Sequence, residues 1–98
     1  MTEQEIRGSM RAEVRAHCLD LSEGGALLFL PTPIDAGTVA DFALELEGDT
    51  VWVQAEVRHV RPASRGPVEG YEVGVQFVGI DPHDERRLRE YLSRAERP

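Results

Sequence analysis

The side chains with the clearest chemical potential lie in one turn and one short N-terminal stretch. Asp20, Ser22 and Gly25 occupy Asp20-Leu21-Ser22-Glu23-Gly24-Gly25. Aspartate and serine at this spacing fold back onto the backbone, and glycine permits a conformation or a close approach that a side chain would block. Upstream, Arg7 and Arg11 stand four positions apart, and Arg15 repeats the interval. A few convergent guanidinium groups can hold a small anion even on an acidic protein. Arg58 and Arg61 at the end of a long strand can add a basic wall, so Arg15 and Arg58 are secondary candidates.

Other chemistries find no constellation. Ser22 has no Gly-x-Ser-x-Gly elbow and no evident histidine partner, so it does not read as a nucleophile. The chain has no lysine and hence no lysine-bearing phosphate loop. His17 and His59 are placed to meet across a sheet, but two histidines without a carboxylate or cysteine set are a weak metal signal. Asp81 and Asp84 are explained as helix caps. No catalytic residue, metal or cofactor is expected, and the chain reads as a binding protein rather than an enzyme.

The elements that must position these residues are short. The 98 residues suffice for one domain. A net charge of −7 disfavours a broad grip on DNA or RNA, whose nonspecific affinity comes from many neutralised phosphates. The lack of a long apolar run and the polar N-terminus predict a cytoplasmic protein without membrane insertion. The single cysteine, Cys18, excludes an intrachain disulfide and reads as a core residue.

Apolar alternation between turn signals predicts five strands. They run near 12–18, 26–30, 38–46, 51–61 and 71–77, with Gly48-Asp49 as a hairpin turn and 62–70 as a loop. Phe42, Leu44 and Leu46, then Val51, Val53, Ala55 and Val57, then Tyr71, Val73, Val75 and Phe77 form the inward faces. Trp52 breaks this phase, which puts it on the outer surface or beneath the terminal helix. That helix spans about 82–94, with Asp81-Pro82 at its start and Leu88, Tyr91 and Leu92 on its apolar stripe. Residues 1–10 are expected to be a flexible arm and 11–96 the folded domain.

Asp20-x-Ser22-x-x-Gly25 resembles the second signature of PilZ domains, and the resemblance extends over about residues 18–94. It is carried by Cys18-Leu19-Asp20-Leu21-Ser22-Glu23-Gly24-Gly25-Ala26-Leu27-Leu28, Pro33–Gly37, the 51–61 strand, Gly74-Val75-Gln76-Phe77 and the closing helix. Arg7-Gly8-Ser9-Met10-Arg11 matches two of the three arginines of the first signature, with Ile6 in the place of the leading one. The resemblance implies an all-β fold, a small antiparallel β-barrel with one C-terminal α-helix. It also implies a cyclic di-GMP site formed by Arg7, Arg11, Asp20, Ser22 and Gly25, with the arginines clamping phosphates or stacking on guanine.

Two expectations compete. In the first, the chain is a sensor whose arm orders over cyclic di-GMP and so changes the surface seen by a protein partner. In the second, it is a degenerate domain that binds no nucleotide and acts as an adaptor, for example in motility or pilus assembly. Only eight residues separate Arg11 from Asp20, where typical members place a strand and a loop. A missing strand would leave an open barrel edge and invite a homodimer or partner contact. An oligonucleotide-binding barrel would share the small β architecture, but it needs exposed aromatic platforms in a basic groove.

Overall fold

The computed structural model describes residues 13–46 and 48–95. Five strands, β1 (Glu13–Leu21), β2 (Gly25–Leu30), β3 (Val39–Leu46), β4 (Asp49–Arg65) and β5 (Val68–Gly79), precede one helix, α1 (Pro82–Ala95). The expected arm, with Arg7 and Arg11, lies outside the described residues.

The strands close into a barrel in the order β1-β2-β5-β4-β3. Four neighbouring pairs are antiparallel, and β1 joins β3 in parallel from Glu13 opposite Asp41 to His17 opposite Glu45. The open edge inferred from a missing strand is therefore absent from the ring. The single strand before the turn pairs with β2 on one side and β3 on the other, so no edge opens there.

Burial follows strand phase for most of the core, with Phe29 and Ala43 buried between inward neighbours as well. Phe42 and Leu44 on β3, Val51, Val53, Ala55 and Val57 on β4, and Val73 and Val75 on β5 meet Ala16, Leu28 and Leu30 in one apolar core. Alternation places these side chains inside because successive residues of a strand point to opposite faces. Trp52, out of phase, lies on the outer face at 38% exposure.

The segment expected as a loop, 62–70, is mostly strand. β4 and β5 continue pairing through Pro62 opposite Tyr71, Ala63 opposite Gly70 and Arg65 opposite Val68. Pro62 is tolerated because β3 pairs with β4 only as far as Val39 opposite Glu56, so β4 is an edge strand beyond that point. The turn narrows to Gly66-Pro67, with Gly66 at φ 59°.

Helix α1 closes one end of the barrel. The Asp81 carboxylate accepts the His83 N–H at 2.8 Å, and Leu88 enters the core. Arg87 donates to Asp84 at 2.9 Å, to the Thr50 carbonyl at 2.8 Å and to the Asp49 carboxylate. This guanidinium clasps the helix to the β3–β4 hairpin.

Candidate functional site

The turn after β1 holds itself together. Ser22 donates to the Gly25 carbonyl through its N–H at 2.9 Å and its hydroxyl at 3.2 Å. The Leu21 N–H is bound by Asp20 Oδ1 at 3.0 Å. Gly25 lies hard against β5: a Cβ there would stand 2.4 Å from the Val75 carbonyl oxygen. Its lack of a side chain is a packing requirement of the β2–β5 pair.

Two irregularities aim the remaining side chains. Strict alternation along β1 would send Val14, Ala16, Cys18 and Asp20 to one face. The register shifts between Cys18 and Asp20, so that Leu21 packs against the core and Asp20 is exposed. On β4 the register shifts between Val57 and His59. Val57 and Val60 face the core, while the two residues between them, Arg58 and His59, are both exposed. An extra residue in one strand re-aims its neighbours in this way.

The result is a groove of about 280 Å³ on the outer face of β2, β5 and β4. Asp20, Ser22 and Gly25 line one side, Arg58 and His59 the other, and Gly74 lies between them. Arg58 is steadied by a hydrogen bond to the Gln76 side chain. The His59 ring rests on Gly74, whose hypothetical Cβ would be 2.3 Å from His59 Cε1.

Not every candidate converges. Arg15 is outside the groove and pairs with Glu45 at 2.6 Å. Arg61 binds Glu72 at 2.9 Å. His17 and His59 do not meet, because β2 and β5 stand between β1 and β4 on one side of the ring and β3 on the other. Among the described residues, no group of three or more His, Cys, Asp or Glu side chains could hold a metal ion. No helix among them is long and apolar enough to cross a membrane.

Sequence reasoning missed His59 as a groove residue. The signal was present in Val57-Arg58-His59-Val60, where apolar residues three apart interrupt period two and mark a bulge. A second depression, about 490 Å³, lies between β1 and α1 and is lined by His17, Cys18, Leu46, Tyr91 and Leu92 among others. Burial pushes the Cys18 thiol above its ordinary value, while its hydrogen bond to the Asp20 carbonyl acts the other way.

A five-stranded closed ring, one capping helix and a groove beside the Asp-x-Ser-x-x-Gly turn define a small β-barrel module. The PilZ domain profile matches residues 5–94, and the chain belongs to that family. It is 29% identical over 91 residues to the flagellar brake protein YcgR of Thauera aminoaromatica, a match covering 87% of this chain and 35% of that protein. Among solved structures, K. pneumonia MrkH in its apo state superposes with a TM-score of 0.54 at 22% identity, covering 79% of this chain and 38% of that one. The Bacillus subtilis inhibitor of motility MotI/DgrA gives a TM-score of 0.53 at 19% identity, with 79% and 40% covered. The chain thus spans between a third and two fifths of the length of these relatives.

Proposed function

We propose that this chain is a cytoplasmic cyclic di-GMP sensor module that transmits binding to a protein partner. The observation that carries the reading is the convergence of Asp20, Ser22, Gly25 and Arg58 on one groove, made by two bulges from strands that are not adjacent. The ligand presents guanine edges, which carboxylate and hydroxyl groups can hydrogen-bond, and phosphates, which guanidinium groups bind.

Arg7 and Arg11, the matches to the first signature, would supply guanidinium groups for the ligand's phosphates. A change of conformation on binding would alter the surface offered to a partner.

The second reading is an adaptor that binds no nucleotide. It is favoured by the closure of Ser22 and Asp20 within their own turn, by Ile6 at the leading arginine position, and by relatives described as a flagellar brake and a motility inhibitor. Its partner would belong to motility or pilus machinery. Calorimetric titration with cyclic di-GMP separates the two. Saturable binding, lost in Arg7→Ala/Arg11→Ala and in Asp20→Ala, is expected. A folded wild-type protein that releases no binding heat and fails to shift in melting temperature would leave the adaptor.

A further inference from the structure

The outer face of β3 and β4 carries a tryptophan that the fold leaves partly uncovered. Trp52 stands opposite Ala43, which strand phase turns outward and which is nevertheless 0% exposed. The other cross-strand partner of Ala43 is Arg15, so these two side chains are placed to cover it. The indole itself remains 38% exposed. Of the four large hydrophobic side chains exposed among the described residues, Trp52, Val39 and Val78 lie on the consecutive strands β3, β4 and β5.

A depression of about 450 Å³ adjoins the indole, lined by Asp41, Trp52, Gln54, Ile80, Asp81 and Asp84 among others. Its rim is acidic. Asp41 is the diagonal neighbour of Trp52 across the β3–β4 pair, within reach of a large aromatic side chain. Asp84 is paired with Arg87 at 2.9 Å. Asp81 is exposed and accepts the His83 N–H, a bond that leaves a carboxylate further acceptor capacity. The positive end of the helix dipole also lies here, and Glu85 joins Asp81 and Asp84 in offsetting it.

An aromatic surface beside carboxylates has a definite chemical complement. A guanidinium is planar and weakly hydrated, so it packs on an indole and donates paired N–H groups to a carboxylate. An ammonium lacks that geometry. Phosphate-bearing partners are disfavoured by the same negative charge. We propose that this face docks a protein partner through an arginine side chain laid against Trp52 and paired with the carboxylates of Asp41 and Asp81. The inference rests on the reading that the module acts through a protein partner. It uses none of the residues that line the groove of Asp20 and Arg58.

Trp52 is the chain's only tryptophan, so its emission reports this face alone. The test titrates the full chain with a tetra-arginine peptide and a tetra-lysine peptide of equal charge, followed by fluorescence and calorimetry. The arginine peptide should give a saturable emission change, with the lysine peptide about fivefold weaker. By calorimetry, Trp52→Ala and Asp41→Asn/Asp81→Asn should each weaken arginine binding about fivefold. Asparagine preserves the helix cap at position 81, and melting curves check that both variants fold. No arginine binding, equal binding of the two peptides, or arginine binding that neither variant weakens overturns the proposal. A wild-type dimer in sedimentation that Trp52→Ala dissolves also overturns it, placing a second copy on this face. Cyclic di-GMP titration separates this inference from the sensor reading, because nucleotide binding should be unchanged in both variants. Folded wild type that binds no nucleotide yet keeps the arginine response would remove the sensor and support the docking face on an adaptor.

Discussion

Arg58 and His59 are consecutive residues of one strand, yet both stand on the same outer face and line the same groove. The register shift in β4 between Val57 and His59 produces this arrangement. It separates two arginines that look equivalent in the sequence: Arg58 faces the groove, whereas Arg15 leaves β1 elsewhere and pairs with Glu45.

Arg58→Ala should therefore weaken cyclic di-GMP binding about tenfold, the scale of one charge-assisted contact to phosphate. Arg15→Ala should bind as wild type does and lose little stability, since its partner pair is exposed. Calorimetry on the two variants checks both halves. Equal effects would place the ligand somewhere other than the groove.

Gly25 carries a packing consequence that needs no ligand. A methyl group there would clash with the Val75 carbonyl, and backbone cannot swing aside as a flexible side chain can. Gly25→Ala should destabilise the fold by about 1–3 kcal/mol through overpacking of the β2–β5 pair. Urea denaturation would measure it. Gly24, with open space around its hypothetical Cβ, should accept alanine at much smaller cost.

Strand phase was legible in the sequence because burial of one face enforces it: Phe42, Leu44 and Leu46 alternate, as do Val51, Val53, Ala55 and Val57. The Asp81-Pro82 helix start was equally local, and Asp81 does bind the His83 N–H. What escaped is nonlocal. The parallel β1–β3 pairing joins residues nearly thirty positions apart, and nothing in either strand's pattern names its neighbour. For the same reason His17 and His59 could be imagined together, although intervening strands separate them. The hairpin at 62–70 was obscured by its prolines and glycines, because proline is compatible with a strand chiefly at an edge and glycine weakens the strand signal. Gathering Asp20, Ser22, Gly25 and Arg58 was legible for the turn and not for the bulges that turn Asp20 and Arg58 outward.

The Arg87 clasp sets an acid limit. The Asp49 carboxyl is held below its ordinary value, chiefly by its hydrogen bond from Arg87. A depressed carboxylate pKa contributes stability above the unfolded value, about 3.9, and loses it as pH falls through the folded value. Asp49→Asn should thus melt earlier than wild type at neutral pH, with the gap closing below about pH 4. Thermal melts at several pH values test this, and a gap independent of pH would assign the effect to shape rather than charge. The difference should be modest, because the pair is largely solvent-exposed on the Asp49 side.

Cys18 sets the opposite limit. Its thiol is pushed up, first by burial against the core beside Leu21. An acid whose folded pKa lies above its unfolded value keeps its full contribution below the unfolded value, about 8.5 for a thiol, and loses it as pH rises through the folded one. Stability should therefore fall on the alkaline side, and Cys18→Ala should flatten that decline. The same burial leaves little thiolate at pH 8, so iodoacetamide should alkylate Cys18 more slowly than free cysteine, while unfolded protein reacts at the ordinary rate. Mass spectrometry of timed reactions, with and without urea, measures both rates. Fast alkylation of the folded chain would mean that the cleft between β1 and α1 opens readily and that Cys18 is not held against the core.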